Sequence, residues 1–133
     1  MLFRVLASAG LAIALSAVTA LADTQRISAA AGKPALIGVS GEVDPATCQS
    51  TAGDANRFVV LTLPANGSVV TALQKVPYKG SLAQCMGKVY QANVLLYTPN
   101  RGFKGVDTLS VGHAVTLRDL EMITPVTIEI EVK

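Results

Sequence analysis

The sequence predicts an all-β chain folded as an antiparallel β-sandwich of about seven or eight short strands. Three observations carry this. No stretch sustains the 3.6-residue apolar repeat of an amphipathic helix; alternation and short β-branched runs dominate instead. Turn-forming residues recur about every ten residues, the spacing of sandwich strands. The last stretch alternates cleanly, with Val126, Ile128, Ile130 and Val132 on one side and Thr127, Glu129, Glu131 and Lys133 on the other. A strand with one apolar and one polar face belongs to a sheet packed on a second layer.

Residues 1–22 read as a removable signal peptide. One positive charge at Arg4 is followed by an almost wholly apolar run from Val5 to Val18. Ala20-Leu21-Ala22 then has the small-x-small form of a signal-peptidase site. Cleavage is expected before Asp23. The apolar run is short for a bilayer of roughly 30 Å, and no cysteine near the cut offers a lipid anchor. Residues 23–133 make a mature chain of about 111 residues, room for one domain with one core. A multidomain enzyme, a TIM barrel and a complete dinucleotide-binding fold are excluded by length.

Leu36 to Val43 is a candidate strand, weakened by Gly38 and Gly41. Asp44 to Asn56 is a loop, containing Pro45, Cys48, Gly53 and Asp54. Arg57 to Leu63 is a near-continuous apolar run suited to a central strand. Pro64-Ala65-Asn66-Gly67 reads as a turn, its Asn and Gly tolerating positive φ, so residues 57–63 and 68–76 are expected to form a hairpin. Met86 to Tyr90 and Val94 to Tyr97 suggest a second hairpin turning at Gln91-Ala92-Asn93. Thr98 to Gly105 is a loop, Val106 to Val111 a strand that can continue to Leu117, and Arg118 to Met122 a polar connection before the final strand.

Cys48 and Cys85 are the two cysteines, and export would place them where disulfides persist. Their separation is unlike a C-x-x-C redox pair, and a single intramolecular pairing exists. A bridge closing a loop of this length stabilises by roughly 4 kcal/mol in the chain-entropy model. That is a large share of the about 5–15 kcal/mol by which domains are stable.

Charge and chemistry exclude more than they assign. Without Arg4 the chain carries ten Lys+Arg against nine Asp+Glu, scattered singly, so it has no basic stripe for nucleic acid. His113, the only histidine, is in phase with Leu109, Val111, Val115 and Leu117 and reads as a packing residue. A serine-histidine-acid triad would need Ser110 or Ser81 beside it and Asp119 behind. A copper or zinc site would draw on His113, Met86, Met122 and Asp119, but the clustered His and Met of copper carriers are missing. Glu42, Asp44 and Asp54 are close in sequence, yet there is no tryptophan to stack a sugar. Phosphate-cradling glycine loops and paired zinc ligands are absent from the sequence. No cofactor and no enzymatic activity are expected.

Two segments resemble a known family. Leu63-Pro64-Ala65-Asn66-Gly67-Ser68-Val69 is similar to the P-x-x-G-x-V stretch of bacterial Ig-like, cadherin-like tandem-repeat domains. The segment from Leu96-Tyr97-Thr98-Pro99 through Gly102-Phe103-Lys104-Gly105-Val106-Asp107 to Val111 resembles their Y-T-P-x-x-G-F-x-G-x-D-x-F-x-Y signature, with Leu109 and Val111 where the family has aromatics. The resemblance runs over roughly residues 57–133 and implies an Ig-like sandwich with structural roles for the motif. Tyr97 would end a strand over the core edge, and Pro99 would stop ladder pairing. Gly102 and Gly105 would supply backbone angles other residues avoid, Phe103 would plug the sandwich end, and Asp107 would accept backbone N–H bonds. The acidic clusters that hold calcium between cadherin-like modules have no counterpart here.

Together these features predict an exported, non-enzymatic Ig-like module, periplasmic or extracellular, with a protein-binding or structural role in the cell envelope. Its expected partner is a protein of the envelope, met at the loops Asp44–Asn56 and Gln74–Gln84, which the disulfide would pin together. The alternatives are a periplasmic copper carrier and a small enzyme inhibitor presenting Lys75–Gly80.

Overall fold

The computed structural model describes residues 23–51 and 56–133. The expected leader, residues 1–22, and Gly53 and Asp54 of the first loop lie outside them. Seven strands succeed one another: β1 (Asp23–Ala29), β2 (Ala35–Ser40), β3 (Asn56–Thr62), β4 (Gly67–Pro77), β5 (Val89–Pro99), β6 (Gly105–Leu117) and β7 (Leu120–Val132). A single 3₁₀ turn, Ala83–Cys85, precedes β5. The strands build two sheets, β1-β7-β6-β3 and β2-β5-β4. The division of β2, β5, β4 from β3, β6, β7 is that of strands B, E, D and C, F, G in immunoglobulin-type sandwiches.

The core lies between the layers. Ile37, Leu95 and Tyr97 of the three-stranded sheet meet Leu109, Val111, Ile128, Ile130 and Val132 of the four-stranded one. The alternation read in the last strand sends Ile128, Ile130 and Val132 into this core.

Four expectations are corrected. β1 is not legible in the sequence: its residues are mostly polar and exposed, and it adds to the sheet edge by pairing parallel with β7, Asp23 opposite Val126 and Ala29 opposite Val132. The sandwich is therefore not wholly antiparallel. Strands β3 and β4 do not form a hairpin. β3 pairs with β6 and β4 with β5, so Leu63–Asn66 crosses from one sheet to the other. Residues 89–99 form one unbroken strand, with no turn at Gln91-Ala92-Asn93. Being central, β5 is buried on both faces: Leu95 and Tyr97 face the main core, while Ala92 and Val94 join Val76 in a second cluster on the outer side. Such a strand shows no alternation to read. Finally, the β6–β7 connection is shorter than the stretch Arg118–Met122. It is Arg118-Asp119 alone, both at positive φ (48° and 64°), the two-residue turn whose twist matches a hairpin.

Candidate functional site

The motif residues converge on one carboxylate. Asp107, buried at the start of β6, accepts four hydrogen bonds. The backbone N–H of Ala65 (3.1 Å) and of Thr108 (3.0 Å) donate to Oδ1. The N–H of Asn66 (3.1 Å) and the hydroxyl of Tyr97 (2.8 Å) donate to Oδ2. Asp107 thus holds the crossover between the sheets, not only its own loop. Tyr97 lies wholly inside the core. Burial first, and the Asp107 carboxylate second, push its phenol far above the usual value. Neither Asn66 nor Gly67 adopts positive φ. Gly67 answers a different demand: a Cβ there would collide with the Tyr97 ring. Pro99 closes β5, Gly102 and Gly105 take φ of 80° and 133°, and Phe103 packs against the end of the core. Tyr97, Pro99 and Asp107 of this constellation are buried, while Gly102 and Gly105 lie at the surface.

Cys48 and Cys85 are joined, with Cα atoms 5.3 Å apart. The bridge ties two compact loops. In the first, Asp44 Oδ1 accepts from the N–H of Ala46 (2.7 Å) and Thr47 (3.2 Å), and Val43 bridges Ser50. In the second, the Tyr78 N–H donates to Lys88 O (2.8 Å), and the Leu82 N–H donates to the Tyr78 hydroxyl (3.1 Å). Gln84 Nε2 donates to Pro45 O at 3.1 Å, adding a polar link between the loops. The second loop differs from the expected Gln74–Gln84: Gln74–Pro77 belong to β4, and the loop runs from Tyr78 to Lys88.

Beside this pinned pair lies a cleft of about 500 Å³ on the outer side of the three-stranded sheet. Leu36 and Val39 of β2 form one wall, Tyr90 and Val76 lie toward its base, and Tyr78 to Ser81 form the rim. Tyr78 and Tyr90 meet edge to face, their ring centroids 5.8 Å apart. Burial, and then the neighbouring Tyr78, raise the Tyr90 phenol above its usual value. The site is mostly apolar, with the Tyr78 and Tyr90 hydroxyls, the Lys79 side chain and the Ser81 hydroxyl as polar groups. Sequence reasoning missed Tyr78 and Tyr90. The available signal was that two of the chain's three tyrosines flank Cys85.

His113 faces inward and shares a 2.7 Å hydrogen bond with Ser40 of the opposite sheet. Its ring lies 5.9 Å from that of Phe58, and the pair borders a cavity of about 230 Å³ between the layers. The expected triad partners are elsewhere. Ser110 projects from the opposite face of β6, Ser81 is on the cleft rim, and Asp119 is at the hairpin tip, about 20 Å further along the strand. Ser40 gives no signal in the sequence, because its pairing with His113 comes from the stacking of two sheets. The four metal candidates are not gathered either. Met122 lies diagonal to His113 opposite Val115, Asp119 is at the tip, and Met86 is in the disulfide loop. Among the described residues no three His, Cys, Asp or Glu side chains cluster as a metal site would require. No helix among them is long and apolar enough to cross a membrane.

No family model matches the chain, and no curated protein matches it. Among solved structures, the solution structure of Amebosin is similar at 12% identity, with a TM-score of 0.38, over 81% of this chain and 88% of that one.

Proposed function

We propose that the chain is an exported, non-enzymatic Ig-like module of the cell envelope that binds a partner protein through the disulfide-pinned cleft. The observation that carries this reading is the cleft itself. It has the size and the mostly apolar lining of a binding site, with a few polar groups to orient what enters. It opens beside Val70 of the same sheet, an aliphatic side chain 57% exposed that stands across Leu96 from Leu36 and outside the lining. A small ligand would use only the hollow. A protein segment seating an aliphatic or aromatic side chain in it would also cover Val70, as interface cores do. The Cys48–Cys85 bridge supports export, since disulfides persist in oxidising compartments.

A photo-crosslinking residue at Ser81, on the exposed rim, tests the reading in cells that express the full chain. A discrete protein adduct is expected, and it should vanish with Val39→Asp, a change at a half-exposed side chain that leaves the core intact. An adduct that survives Val39→Asp removes the cleft from the proposal. Export is tested separately: the protein recovered from the envelope should begin at Asp23, and an intact Met1 overturns that part.

A further inference from the structure

We propose that β4 is a self-association edge: two copies pair their β4 strands antiparallel about a two-fold axis at Ala72, joining two three-stranded sheets into one of six strands. This goes beyond the cleft reading and does not depend on it. Strand β4 stands at the end of its sheet, and among the described residues β5 is its only extensive neighbour. Residues Val70 to Lys75 are all exposed, including Val70 on the outer face and Leu73 (59% exposed) on the inner one. In the opposite sheet the edge strand β3 packs against β5 and β2 and not to a comparable extent against β4, so β4 projects past it and leaves Leu73 exposed on the inner face. An edge strand so placed is normally protected by charges, a bulge, a proline or shortness. Here it is eleven residues long and pairs residue for residue with β5 without a bulge. It carries one charge, Lys75, and holds its proline at the last position.

The sequence of the edge suits a copy of itself. With Ala72 on the axis, Thr71 faces Leu73 of the second copy, Val70 faces Gln74, and Val69 faces Lys75. The aliphatics on both faces gain cover, and no like charges oppose. The two Lys75 ammonium groups stand about 20 Å apart along the ladder, beyond the screening length of about 8–10 Å in physiological salt. An antiparallel ladder over Ser68–Val76 exchanges about eight to ten backbone hydrogen bonds, the number found in a stable interface of ordinary size.

Sedimentation of the purified, disulfide-intact protein across the micromolar range tests this. A concentration-dependent dimer is expected. Ala72→Lys and Ala72→Glu each place two like charges face to face on the axis at an exposed site and should each weaken the dimer about tenfold or more. An equimolar mixture of the two should dimerise again. That recovery requires both variants to be folded, so it separates a lost interface from a lost fold. A wild-type chain that stays monomeric overturns the proposal, including the case in which its edge takes a foreign strand instead. So does an Ala72→Lys variant that dimerises as tightly as the wild type.

Discussion

At the scale of single residues, Asp107 concentrates the fold's dependence on one side chain. Each of its oxygens receives two donors. Asp107→Asn would turn one oxygen into an NH₂ group pointing at two donors. It should cost about 2–3 kcal/mol, a loss of roughly 10 °C in melting temperature or more. Tyr97→Phe keeps the ring on Gly67 but removes one donor, and should cost about 1–2 kcal/mol at neutral pH. It also changes the alkaline response. The folded chain holds the Tyr97 proton to higher pH than the unfolded chain does. That contribution is fully present below about pH 10 and is lost as pH rises beyond it. Wild-type stability should therefore fall above pH 10 by a step that is missing in Tyr97→Phe, and chemical denaturation at pH 8 and pH 11 checks it. An equal alkaline loss in both proteins contradicts the assignment. Asp107 and Tyr97 are legible as a motif. Their shared hydrogen bond to each other is not, because local sequence does not say which strand ends meet.

At the scale of elements, legibility follows burial. β7 carries one wet and one dry face and can be read residue by residue. β5, dry on both faces from Ala92 onward, reads as two pieces, with the polar pair Gln91 and Asn93 resembling a turn. β1 has only Ile27 and Ala29 to bury and leaves no periodic trace. The expected β3–β4 hairpin fails for a physical reason: the donors at Ala65 and Asn66 reach a carboxylate some forty residues away instead of closing a local turn. The β6–β7 turn is the opposite case, a true hairpin made from residues poorly suited to it. Arg118 and Asp119 both sit at positive φ, where a side chain costs about 1 kcal/mol or more. Replacing the pair with Asn-Gly should stabilise the protein by about 1 kcal/mol and raise its melting temperature by a few degrees. A fall on thermal denaturation would mean that the native pair makes contacts worth more than the turn strain.

At the scale of the whole molecule, the Cys48–Cys85 bridge encloses β3 of one sheet and β4 of the other, so it limits the unfolded chain across the crossover. Cys48→Ser with Cys85→Ser should cost up to about 4 kcal/mol, or roughly 15 °C, while the far-ultraviolet signature of the sandwich persists at low temperature, because the main core contains neither cysteine. An unchanged melting curve would show that the two loops are held by other contacts. The pairing and the fold class are both readable in the sequence, whereas the cleft the bridge supports is not, since it needs Tyr78 and Tyr90 brought together from two elements. The parallel seam between β1 and β7 has a mechanical consequence. Asp23 and Val132 lie at opposite ends of that seam. Tension applied between Asp23 and Val132 would draw the strands past one another, so the bonds along the seam would bear the load together in shear and would not unzip one by one. By this geometry the sandwich resists a pull along the β1–β7 seam as a unit, where a pull across the seam would part its bonds in turn.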